Sequence, residues 1–141
     1  MRVKFTVLGE PQGKGRPRVE RHGGKTITRT PEATVVYENL IRTEYSRQCG
    51  DFRFPDGMEL DLRVMAYYGI PASASKKRQR MMENGEIRPI KKPDNDNVLK
   101  VVADSLNDRA YHDDAQVVDT QTRKWYSRRP RIEVVIQTAR K

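Results

Sequence analysis

The stretch Pro93-Asp94-Asn95-Asp96-Asn97-Val98-Leu99-Lys100-Val101-Val102-Ala103-Asp104-Ser105-Leu106 opens polar and closes on an apolar repeat. Val98, Leu99, Val102 and Leu106 recur at helical spacing, so a helix is expected from about Asn95 to Asn107 with that face in the core. Asp94 stands just before this helix and Asp96 lies in its first turn, where the positive end of the helix dipole favours carboxylates. Asp96 and Lys100 are four residues apart and share a face. The apolar side anchors the helix while two carboxylates and an ammonium project together. Taken alone, an Asp-x-Asp at a helix start is most often a cap, and a lone lysine is most often a surface ion-pair partner.

Working outward, Met58, Leu60, Leu62, Val64, Ala66 and Tyr68 alternate with Glu59, Asp61 and Arg63, the pattern of a strand. Ser73 to Asn84 reads as a short, very basic helix stopped by Gly85. Residues 87–93 are extended, since Pro89 and Pro93 disfavour helical geometry in the residues before them. Downstream, strands over 115–126 and 131–138 are joined by the basic turn Ser127-Arg128-Arg129-Pro130, and Trp125 finishes that hairpin. Upstream, residues 2–8 alternate as a strand. Residues 9–29 read as a basic, glycine- and proline-rich loop, ordered on binding a partner. Thr30 caps and Pro31 opens a helix to about Gln48, with Val36, Leu40, Ile41 and Tyr45 on one face. There is no internal repeat. The order β-α-β-α-α-β-β gives an α+β fold, a single domain over 1–141 with helices packed on a sheet.

The chain has 141 residues with only 35% hydrophobic content and a mean hydropathy of −0.87. No run approaches the roughly 20 apolar residues of a membrane span. The core is thin for one chain, which suggests burial against a second copy. Cys49 is the single cysteine and His22 and His112 the only histidines. An internal disulfide and a cysteine-based zinc centre are therefore excluded, and any metal would be a hard ion held by oxygens, Mg²⁺ or Mn²⁺. The N-terminus lacks the apolar stretch of a signal peptide, so a reducing cytoplasm is expected.

The formal net charge of +9 is unevenly placed. Residues 1–30 hold eight basic groups, including Lys14, Arg16 and Arg18, against two acidic ones. Residues 75–92 hold seven, including Lys76, Lys77, Lys91 and Lys92, against two, and the tail from Arg123 holds seven against Glu133. Between them, residues 94–119 carry seven aspartates against Lys100 and Arg109. A charge run is often only a solvated face. The sharper reading is a polyanion-binding surface around a cation-binding pocket: Lys and Arg neutralise phosphates, whereas carboxylates repel them unless a metal intervenes. That is how a metal-dependent nuclease must be built.

Asp113-Asp114 precedes the strand that begins Ala115-Gln116-Val117-Val118-Asp119. With Asp94 and Asp96 it could bring three carboxylates onto one ion, leaving other positions to water and phosphate. Lys100 beside them could stabilise charge on the phosphate. The segment does not fit an EF-hand, which needs a fifth-position ligand and a sixth-position glycine, and Gly13-Lys14-Gly15 lacks the spacing of a phosphate loop.

Asp94-x-Asp96-Asn97-x-x-Lys100, then Asp104-x-Leu106, then Asp113-Asp114-Ala115-Gln116-Val117-Val118-Asp119, closely resembles the signature of the RusA-type Holliday junction resolvases. The early Lys14-Gly15-Arg16-Pro17-Arg18 loop and the helix opening at Thr30-Pro31 resemble the start of that family's domain. The resemblance implies a mixed β-sheet domain and a homodimeric, Mg²⁺-dependent endonuclease, with Mn²⁺ as a substitute. It implies symmetric paired nicks in four-way DNA junctions during recombination and repair, in a phage or its host, close to the nucleoid. It puts the metal-binding aspartates on Asp94, Asp96 and Asp114 and the catalytic lysine on Lys100; the basic stretches themselves offer Lys14, Arg16, Arg18, Lys76, Lys77, Lys91 and Lys92 as DNA contacts. Lys91-Lys92-Pro93 departs from relatives that carry arginines before the first aspartate. The competing reading is a non-catalytic, basic nucleic-acid-binding or regulatory protein whose acidic island is a capped helix and solvated loops.

Overall fold

Strand Leu60–Gly69 (β4) is the centre of the molecule, because both of its edges are paired and one of its faces carries the core. The computed structural model describes residues 1–141. Around β4 lie β1 (Arg2–Leu8), the hairpin β2 (Arg18–His22) and β3 (Lys25–Arg29), α1 (Glu32–Cys49), α2 (Lys76–Glu83), α3 (Asn95–Ser105), β5 (Val117–Ser127) and β6 (Arg131–Thr138). The four-stranded sheet runs β1-β6-β4-β5. β4 pairs parallel with β5 and antiparallel with β6, which pairs antiparallel with β1. The sheet is thus mixed, as the resemblance implied, and the class is α+β.

The alternation read in β4 is borne out on its even positions. Leu60, Leu62, Val64, Ala66 and Tyr68 are buried, with Phe5, Val7, Ile132, Val134 and Ile136 beside them on the same face. Tyr37, Ile41 and Tyr45 of α1 and Val98, Val101 and Val102 of α3 close over that face to make one cluster of 20 buried residues. Each large aliphatic side chain buried this way contributes about 1.5–3 kcal/mol. The site-bearing helix α3 is therefore fixed to the sheet by its apolar stripe.

Four expectations need correction. β5 and β6 are not a hairpin, because β4 lies between them. Their short connection crosses the end of β4 at Gly69, where a Cβ would press on Pro130 and on the Glu10 carboxylate that accepts from the Gly69 amide. Residues 18–29 are not a loop but a two-stranded hairpin with a register from Arg18↔Arg29 to His22↔Lys25. On α1, Val36 and Leu40 point outward, 61% and 40% exposed, while Thr34 and Glu38 turn inward. Finally, α1 has Pro31 at its cap position with no side-chain cap, so Thr30 does not play that part. The basic helix α2 does stop as read: Ser75 accepts from the Arg78 amide at its start, and Gly85 beyond it takes a φ of 81°.

Candidate active site

Asp94 occupies the N-cap position of α3, yet its side chain makes no capping hydrogen bond. Only its carbonyl works for the helix, accepting from the Val98 amide at 3.1 Å. The capping role that would explain such an aspartate away is absent, and the carboxylate is exposed and free. Asp96 and Lys100, one turn apart, are likewise exposed. Behind Asp94, the Tyr68 hydroxyl donates to the Pro93 carbonyl at 2.6 Å, tying the helix start to the central strand. The Lys124 ammonium lies 5.0 Å from the Tyr68 ring and near Asp94. Burial lowers the Lys124 pKa, and Lys91 lowers it further, against the opposing pull of Asp94. Lys124 was read only as part of a basic tail; strand alternation across β4 and β5 was the signal that could have placed it.

The second acidic group sits past the other end of α3. The Asp113 side chain accepts from the Ala115 amide and forms a capping box with Gln116 on a short 3-10 turn, Asp114–Gln116. Asn107 accepts from the Asp114 amide at 2.7 Å, which directs Asp114 back toward α3. Its carboxyl lies within hydrogen-bonding reach of Asp104. Burial, the charges of Asp113 and Asp104 and that hydrogen bond raise the Asp114 pKa above the ordinary range, while Lys100 pulls it down. Lys100 is thus close enough for its charge to act on Asp114. Asp104, part of the motif but not counted among the site residues, belongs with them.

Lys14 is elsewhere than expected for a DNA contact. Its ammonium lies 3.0 Å from Glu38 of α1 and 3.2 Å from Asp104 of α3. Burial works against its charge, but the two carboxylates outweigh it and its pKa is raised. Arg16, Arg18, Lys76, Lys77, Lys91 and Lys92 are all exposed. Arg88 and Arg123, which the charge count did not single out, stack on Trp125 at 3.8 and 4.7 Å from its ring. This is the setting of Trp125 in place of the expected hairpin.

No three acidic, histidine or cysteine side chains converge closely enough to hold an ion. The donor chemistry nonetheless fits a hard divalent cation. Asp94 is released from capping, Asp114 is crowded by like charge, and every available donor is an oxygen; Mg²⁺ commonly takes one or two carboxylates and completes its shell with water and substrate phosphate. The roomiest depression, about 620 Å³ between residues 57–59 and 112–118, includes Asp113 but neither Asp94 nor Asp96. An open acidic face bordered by arginine and lysine suits a long polyanion better than an enclosed ligand.

Carboxylates free at a helix start, a lysine on the same face and flanking cationic surfaces define the class of nucleic-acid phosphodiester hydrolases. The chain belongs to a particular family of them: residues 9–137 match Endodeoxyribonuclease RusA, the Holliday junction resolving endodeoxyribonucleases. It is also similar to YqaN of Bacillus subtilis (strain 168), an uncharacterized protein, with 38% identity over 135 residues covering 96% of this chain and 95% of that one. Enzymes of this family are divalent-metal-dependent hydrolases acting on DNA. No helix here is long and apolar enough to cross a membrane.

Proposed function

We propose that the chain, as one domain over 1–141, resolves four-way DNA junctions by paired, symmetric nicks, using Mg²⁺ held by Asp94, Asp96 and Asp114. The observation that carries this is Asp94: an aspartate at the helix-cap position whose carboxylate does not cap, exposed beside an exposed Asp96. The ion would supply Lewis-acid polarisation of the scissile phosphoryl group, with Mn²⁺ able to replace it. The protein's own part is positional and electrostatic. Lys100 faces the developing negative charge on the phosphate. Arg16, Arg18, Lys76, Lys77, Lys91 and Lys92 hold the flanking backbone, and Lys14, engaged with Glu38 and Asp104, is left out of that surface. Two copies related by a two-fold axis would match the near symmetry of a junction. The setting is recombination and repair of DNA in the cytoplasm, serving a phage or its host.

The test is a synthetic four-way junction incubated with the protein and Mg²⁺, compared with fork, linear duplex and RNA. Paired nicks in opposing strands of the junction are expected, with none for Asp94→Asn and with sedimentation showing a dimer. Nicking that survives in Asp94→Asn would overturn the site assignment, and preference for fork or RNA would overturn the substrate.

A further inference from the structure

The loop ahead of the β2–β3 hairpin is a strap, and its central residue reaches the interior of the site. Gly13 lies so close to α3 that a Cβ there would sit 2.9 Å from the Pro93 Cβ and 3.0 Å from the Asn97 Cβ. Gly15 lies as close to α1, with the Thr34 hydroxyl 2.6 Å from where its Cβ would be and accepting from its amide. Between them the Lys14 amide donates to the Asn97 carbonyl at 3.0 Å. Two missing side chains and these backbone bonds thread Lys14 between the helices. Its ammonium then meets Glu38, 11% exposed, and Asp104, 24% exposed, and Asp104 in turn contacts Asp114.

We infer that Lys14 is a positioning residue: a built-in cation that holds Glu38 and Asp104 together and, through Asp104, keeps Asp114 directed to the catalytic face. This rests on the reading of Asp114 as a site carboxylate. Without the ammonium, Glu38 and Asp104 would face each other with no cation between them, and Asp104 would crowd Asp114 against the pull of Lys100 alone. A divalent ion entering in the ammonium's place would sit between Glu38 and Asp104 and draw Asp104 away from Asp114. Lys14 fills that role permanently, so the free ion goes to the carboxylates at the start of α3.

The test compares the full-length wild type with Lys14→Met and Lys14→Arg by Mn²⁺ titration calorimetry and by junction-cleavage kinetics. Lys14→Met is expected to bind one additional equivalent of Mn²⁺. Its kcat should fall about 10–100-fold, the usual cost of removing a partner one step from the reacting groups, with KM for DNA unchanged. Lys14→Arg should restore the wild-type stoichiometry and most of kcat. An unchanged stoichiometry, or a loss confined to KM, overturns the inference, the latter making Lys14 a DNA contact. Should Lys14→Met not fold, Asp104→Asn decides: it keeps Lys14 paired with Glu38, and an unaltered kcat there removes the relay to Asp114. If the wild type cuts no junction, the proposed function fails, while the difference in Mn²⁺ stoichiometry still tests Lys14.

Discussion

The two ends of α3 carry the same residue type under opposite conditions. At its start, Asp94 and Asp96 are exposed, and the Asp94 side chain takes no part in holding the helix. In its last turn and beyond, Asp104, Asp113 and Asp114 are occupied: one paired with Lys14, one closing a capping box, one crowded by the other two. Aspartates that do no structural work can be replaced without cost to the fold. Aspartates already engaged cannot lose their charge without disturbing a neighbour. Function and stability should therefore separate at the first end and stay mixed at the second.

The largest contrast is expected between Asp96→Asn and Asp113→Asn. Asp96→Asn should reduce junction cleavage by more than about 100-fold, beyond what an outer partner costs, with the thermal midpoint and junction binding retained. Asp113→Asn keeps a side-chain oxygen to accept from the Ala115 amide, so its cleavage should stay within about tenfold of wild type. Cleavage rates and melting curves on both variants check this. Equal losses in the two would erase the distinction between the ends.

Much of this was legible from residue spacing. The alternation in β4 and the apolar stripe of α3 are period signals, and both elements form where those signals place them. What failed to show was pairing at a distance. That β5 and β6 flank β4 instead of each other is set by the pairing of both with β4, which no turn signal at 127–130 reveals. Glu38 faces inward because Lys14, 24 residues earlier, meets it there, so hydrophobicity alone chose the wrong face of α1 at Val36 and Leu40. The site divided the same way. Asp94, Asp96, Lys100 and Asp104 lie along one helix and could be related by counting, whereas Lys14 joins the group only through the strap.

The strap offers a way to strain the first end without touching a charge. In Gly13→Ala the new methyl group would meet Pro93 and Asn97, which flank Asp94 and Asp96. Overpacking of this kind costs about 1–3 kcal/mol, and denaturant unfolding should show a loss in that range. Because the displaced residues flank the free carboxylates, cleavage should fall as well, unlike in a destabilised variant remote from α3. A stability loss with full activity would mean that the strap does not position that end.

The smallest effect, and the one whose sign is most diagnostic, belongs to Asp114. Its folded-state pKa is raised, chiefly by burial and then by Asp113 and Asp104, above the roughly 3.9 of an unfolded chain. A carboxyl shifted upward binds its proton more tightly when folded, so the metal-free protein gains stability as pH falls through the raised value and gains no more below about pH 4. At neutral pH the charge is a burden. Asp114→Asn removes it and should raise the thermal midpoint of the metal-free protein at pH 7. The advantage should shrink on acidification and vanish near pH 4, while junction cleavage is lost at every pH. Divalent-ion binding to the wild type should weaken on acidification at a higher pH than an ordinary aspartate would allow, since proton and cation compete for the same oxygen. Melting curves of both proteins between pH 4 and 8, with chelator present, read the first effect. A variant less stable than wild type at pH 7 would show that Asp114 works for the fold and belongs with the engaged aspartates beyond α3, not with the free pair at its start.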